Sequence, residues 1–243
     1  MDIFWSTIAG YNSSTWFLQL IIVIAGVFLT GLLLKKPTPR VKLAMKLYLL
    51  FLYLWIAVVY YYIYCAERSY NGTMALFWGT MAVIWIWDTV TGYTTLERSR
   101  KYDVLAYILL AMPFVYPLLS LVRGLTFPGI TSPVMPCSVV VFTIGLLLLF
   151  ARKVNMFLVL FLCHWSLIGL SKTYFFHIPE DFLLASASAP ALYLFFKEYF
   201  LNNLHKDTEP KAKLINLLLV SVCIALGVLL TVTMFLELTP LEK

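Results

Sequence analysis

The sequence predicts an all-α fold, a polytopic transmembrane helical bundle, and three observations carry that prediction. The 243 residues are 62% hydrophobic and only 12% charged, with a mean hydropathy of +0.88. Soluble domains carry charge on about a quarter of their residues, so this composition belongs to an integral membrane protein. The apolar residues fall into runs of about the 20 residues that cross a hydrocarbon core of about 30 Å. The basic residues collect in alternate gaps between those runs. No segment alternates with the period of two that a barrel strand needs, and lipid-exposed backbone must satisfy its own hydrogen bonds, so each run reads as a helix.

The first run covers 16–34. No basic region precedes it in MDIFWSTIAGYNSSTW and no small-residue cleavage site follows, so it reads as a retained span and not a signal peptide. The second, 43–65, contains Lys46 and ends at Cys65, and the third, 74–93, contains Asp88. The fourth, 104–122, carries Pro113 and Pro117 on one face, which predicts a bend near mid-membrane. The fifth, 134–151, follows a stiff lip, FPGITSPVMPC, in which Ser132 and Pro133 fit an N-cap with proline at the first helical position. The sixth, 156–176, holds His164, Ser171 and Lys172. The seventh, 182–200, has a small-residue stripe at Ala185, Ser186, Ala189 and Ala191 suited to close helix packing, and the eighth is 214–236. Eight spans in a single integral membrane domain, 1–243, are expected, with seven as the alternative; the two halves show no repeat.

Thirteen Lys and Arg residues lie in the connections after spans one, three, five and seven, against three on the opposite side. By the positive-inside rule this places both termini outside, in the periplasm or extracellular space. The net charge of +6 is therefore topological, and no basic stripe or recognition motif argues for a nucleic-acid partner. NNLHKDTEPKAK reads as a solvated cytoplasmic loop.

The candidate path or lip residues are Asp88, His164, Lys172, Asp181, Pro136, Cys137 and Arg123. An ionisable group inside a span is expensive unless paired or wetted. Asp88 reads either as an acid facing a cavity or as a carboxylate reaching the basic loop of Arg98 and Arg100. Lys172 is expected to snorkel outward toward Glu180 and Asp181. His164, near the centre of its span, fits a hydrogen-bonded packing residue or part of a path. The lip and the helix start behind Pro136 and Cys137 read as a rigid cap, with an anion site as the sharper alternative. Cys65 and Cys137 both fall at the outer face and are expected as thiols, since a disulfide needs α-carbons within about 7 Å. The sequons at Asn12 and Asn71 also fall outside. No catalytic signature is present. A metal site would require Cys65, Cys137 and His177 to converge from three loops, so no metal or cofactor is assigned.

The segments AGYNSSTWFLQL, VYPLL, GLTFPG, PCSVVVFTIGLLLL, HWSLIG and PEDFLL resemble, over roughly residues 8–196, an uncharacterised family of bacterial multi-pass membrane proteins known by a domain-of-unknown-function label. Pro136–Cys137 followed by Phe142, Thr143 and Gly145 is the most specific part. The resemblance implies a polytopic helical fold in a bacterial inner membrane and supplies no activity.

The leading functional expectation is a small-solute transporter or channel-like permease, from the proline-bearing fourth span, the stiff lip and polar residues at several depths. An accessory or assembly subunit of a membrane complex, or a homo-oligomer, is the alternative. A membrane-embedded enzyme acting at the outer face ranks third. The partners expected are the lipid bilayer and a small solute or ion.

Overall fold

A computed structural model describes residues 2–68, 70–98 and 102–176, together with isolated helical positions between 184 and 195. Six helices follow in order: α1 (Asp2–Lys35), α2 (Pro39–Trp55), α3 (Asn71–Thr91), α4 (Asp103–Val122), α5 (Pro136–Phe150) and α6 (Met156–Phe176). α2 continues without a break into a π-helical stretch, Ile56–Tyr64. These elements match the first six expected spans. The seventh and eighth, 182–200 and 214–236, lie outside the described residues apart from the isolated positions.

Among the described residues, four helices are long and apolar enough to cross a membrane: Ile3–Lys35, Pro39–Tyr64, Asn71–Thr91 and Asp103–Val122. Their outward faces are hydrocarbon, with Phe17, Ile24 and Phe28 on α1, Leu76, Val83 and Val90 on α3, and Leu118 and Val122 on α4 all exposed. An apolar surface of that extent fits lipid, not water.

α1 begins fourteen residues before the expected start at 16. The reason is a polar stripe at helical spacing. Thr7, Tyr11, Thr15 and Gln19 recur every fourth residue, and all four are buried together with Asn12. Residues that lie ahead of the expected first span are one face of the same helix. α2 also begins early, because Thr38 caps it by accepting from the Val41 amide while Pro39 takes the first helical position. α3 stops where Gly92 adopts φ 65°, a left-handed C-cap that a side chain would resist. Pro113 and Pro117 both sit inside the uninterrupted α4.

α5 is the centre of the body. Its apolar residues run all the way round, and every residue from Pro136 to Phe150 except Phe142 is buried. A helix apolar on all sides belongs in a core. It packs most extensively along α4. Gly145 makes this possible, since a Cβ there would lie 2.9 Å from Leu109 Cβ and 3.0 Å from both Ala106 O and Leu110 N. Two of those neighbours are backbone and cannot swing away. Tyr53 donates to Thr143 Oγ1 at 3.1 Å, fastening α2 to the same face.

At 15 residues, α5 spans only about 22 Å, less than the hydrocarbon thickness of about 30 Å. Irregular chain continues it at both ends. At one end is the lip, 123–135. At the other a small antiparallel ribbon pairs Thr95–Leu96 (β1) with Ala151–Lys153 (β2), a strand pairing that the helical reading of the sequence missed. Two-residue pairing leaves too short a pattern to stand out from loop sequence.

Gly145→Ala is expected to destabilise the protein by about 1–3 kcal/mol, the usual cost of overpacking, while Gly10→Ala, with open space around it, leaves stability unchanged or raised. Thermal unfolding of the two variants in one detergent checks the difference.

Candidate functional site

The lip closes one end of α5 and is held from below by α1. Its chain is a succession of turns whose carbonyls at alternate positions are taken by side chains. Asn12 Nδ2 donates to Pro128 O at 2.8 Å and Ile130 O at 2.6 Å, and Tyr11 Oη donates to Val134 O at 2.8 Å. The fourth carbonyl in that series, Ser132 O, accepts from Ser138 Oγ at 3.0 Å. Gln19 Nε2 donates to Asn12 Oδ1 at 3.2 Å and Thr15 Oγ1 at 2.8 Å, and Gln19 Oε1 accepts from Ser132 Oγ. Trp55 Nε1 donates to Tyr11 Oη at 2.8 Å, and Thr131 N to Ser120 Oγ at 3.2 Å. Backbone without secondary structure is tolerated at membrane depth only when protein satisfies it. Here α1, α4 and α5 all do so, and Trp55 of α2 braces the Tyr11 hydroxyl.

This geometry corrects two readings. The fifth helix is capped not by Ser132 and Pro133 but by Met135 and Pro136, in extended and first helical positions respectively. Ser132 instead accepts from the Val134 amide at 3.1 Å and shapes the turn ahead of the helix. The Asn12 sequon is not a surface acceptor: its amide is committed to the lip and the residue is 3% exposed. Pro136 is buried at the helix start, and Cys137 beside it, like Cys65, is a buried thiol outside any disulfide. Arg123, at the end of α4, is exposed with its guanidinium 5.8 Å from the Trp5 ring.

A second polar cluster closes the ribbon end. Asp88 is wholly buried, and Lys46 Nζ donates to Asp88 Oδ2 at 2.9 Å. Asp88 Oδ1 accepts from Thr94 N at 3.0 Å and Thr94 Oγ1 at 2.6 Å. Asn155 N then donates to Thr94 Oγ1 at 3.2 Å, and Phe157 N to Asn155 Oδ1 at 3.0 Å, so the chain of bonds runs from α2 through α3 to the start of α6. The final carbonyls of α5 are taken as well, Phe150 O by the Glu97 amide and Leu149 O by Arg98 Nη1 at 3.3 Å. Asp88 therefore faces neither a cavity nor the basic loop. The loop arginine, Arg98, pairs with Asp103 at 2.6 Å, which holds its guanidinium above the ordinary pKa.

Of the other expected residues, His164 is half-buried with its ring 6.4 Å from Phe77, in an aromatic layer that includes Trp78 and Trp165. Lys172 lies on α6, but its side chain and Asp181 fall outside the described residues. The structure does not bring Asp88, His164, Cys137 and Arg123 together. Among the described residues, no three of His, Cys, Asp and Glu converge to hold a metal.

One cavity of about 450 Å³ lies between α1 and α4, floored by α2 and α5. It falls in the size range of small-molecule sites, about 300–1,000 Å³. Val23, Val27, Leu34, Leu110, Phe114 and Phe142 make its walls, and Pro133 and Val134 of the lip close one end. Its two central hydroxyls are already engaged: Tyr48 Oη donates to Ile22 O at 2.9 Å and Thr30 Oγ1 to Gly26 O at 2.7 Å. Gly26 lets Tyr48 lie against α1, since any Cβ there would collide with the phenol oxygen. The flanking Val27 and Phe114 are 56% and 43% exposed, so the cleft opens sideways where lipid would stand. Of the residues singled out from the sequence, Pro113, Pro133 and Phe142 line it; Gly26 and Gly31 on the α1 wall were the further signal available.

Residues 1–206 match DUF6064, a family of unknown function, and the chain belongs to that family. No curated protein and no solved structure matches it.

Lys46→Met strands a buried carboxylate and is expected to cost about 3–5 kcal/mol, and Lys46→Met with Asp88→Asn together should cost less than Lys46→Met alone. Denaturation midpoints of the single and double variants measure this; additive losses would mean that the pair is not coupled.

Proposed function

We propose that this family member is a multi-pass membrane carrier that admits a hydrophobic or amphipathic molecule sideways from the bilayer into the cleft between α1 and α4. The observation that carries the reading is the chemistry of the cleft: apolar walls, the Tyr48 and Thr30 hydroxyl protons committed to backbone carbonyls, the Tyr107 hydroxyl bonded to Arg98 at one end, and an opening toward the lipid-facing side. A polar solute finds no donor set along its length, whereas a hydrocarbon chain meets matching surface. The wider setting is eight spans in a bacterial cell membrane, with both termini and the lip outside and the ribbon end in the cytoplasmic leaflet. Support for that orientation is the thirteen-to-three distribution of Lys and Arg.

The leading sequence expectation, a small-solute transporter or channel-like permease, loses two of its supports as a polar path, because Asp88 is matched by Lys46 and the lip is bonded to α1 instead of standing free. An accessory role in a membrane complex takes its support from α1, whose apolar window is only 22% buried and offers a long face to a partner helix.

Organic extraction and mass spectrometry of detergent-purified protein test the carrier reading. Wild type should release a stoichiometric hydrophobic compound, and Gly31→Phe, which fills open space on the cleft wall, should not. Equal extracts from both proteins, with rapid polar-solute flux in reconstituted vesicles, would instead establish a pore.

A further inference from the structure

Within that reading, we infer that the cleft holds the acyl chain of an anionic phospholipid from the leaflet at the ribbon end, with the headgroup on Lys35, Lys36, Arg40 and Lys42. Three observations converge on this occupant.

The first is depth. On α1 the cleft runs from Val23 to Leu34, about 17 Å along the helix axis. A hydrocarbon core of about 30 Å gives each leaflet close to that thickness. Pro133 and Val134 shut the far end, so the cleft is one leaflet deep and is not a through-channel.

The second is charge at the open end. Leu34 lines the cleft and Lys35 ends α1 immediately after it. The connection KKPTPRVK then carries four cations and no carboxylate. Lys35, Lys36 and Arg40 are exposed and Lys42 partly so. The next cation inward, Lys46, is matched by Asp88, and Arg98 on the opposite wall is matched by Asp103, so neither adds to the mouth. Clusters of this kind beside a transmembrane helix attract anionic headgroups.

The third is the opposite wall. Tyr107 lines the cleft, and its hydroxyl accepts from Arg98 Nη2 at 3.3 Å. The phenol therefore sits at the boundary with its ring toward the chain and its oxygen toward the polar layer, as aromatic residues do at a membrane interface.

Native mass spectrometry of the full chain in detergent, with phosphatidylglycerol and phosphatidylcholine of identical chains, tests the inference. Wild type should bind phosphatidylglycerol at least about tenfold more tightly, and high salt should erase the difference. Lys35→Gln with Lys36→Gln and Arg40→Gln, all on exposed side chains, should bring the two lipids to similar affinity, and Gly31→Phe should remove both. Equal affinity for the two lipids in wild type, abolished by Gly31→Phe, overturns the headgroup assignment and leaves the carrier reading standing. Phosphatidylglycerol preference that survives the triple substitution also overturns it. Binding untouched by Gly31→Phe overturns both, since the lipid would then lie outside the cleft.

Discussion

The short α5, buried along its length except at Phe142, imposes the requirement that the rest of the structure meets. A helix of 15 residues is shorter than the hydrocarbon thickness of a bilayer, and its ends run directly into irregular backbone packed inside the protein. Every polar group exposed by those ends needs a partner within the protein. At the lip end Asn12, Tyr11, Gln19 and Ser120 provide them, and at the ribbon end Arg98, the Glu97 amide, Thr94 and the Lys46–Asp88 pair do so.

Lipid tails are as apolar as leucine, so burial against α5 brings little of the hydrophobic gain available to a soluble core. Close contact and polar bonding carry more of the load. Gly145 lets the backbones of α4 and α5 approach closely, and Gly26 lets Tyr48 dock on α1. The buried ion pair is weak evidence of net stability, because two desolvated charges roughly offset their attraction. Its role is specificity: with Thr94 and Asn155 it fixes the register of α2, α3 and α6 at one end. Tying both ends in this way leaves the α1–α4 flank as the place where an apolar cleft can stay open.

Helix positions were legible because each depends on local apolar length, and six expected spans match six helices to within a few residues, apart from the start of α1. That start was missed because the apolar run begins only at Trp16, although Thr7, Tyr11, Thr15 and Gln19, four residues apart, mark a helix face. Pairing was less legible. Lys46 and Asp88 are 42 residues apart, and nothing in either local pattern indicates that α2 and α3 bring them to the same depth. The ordering of Asp88 toward Arg98 followed sequence proximity, but Asp103, five residues from Arg98, is the nearer acid. The cleft depends on what α1 and α4 leave unfilled, and a void has no residue of its own to read.

Amide hydrogen exchange across residues 126–135 tests most directly whether the lip is a bonded extension of α5 and not a mobile gate. In wild type, the Thr131 and Val134 amides should be protected nearly as well as those of α5, and Gln19→Leu with Asn12→Leu should expose them selectively. Rapid exchange of these amides in the wild-type protein, as fast as in the exposed 36–38 connection, would contradict the closed lip and the buried hub it completes.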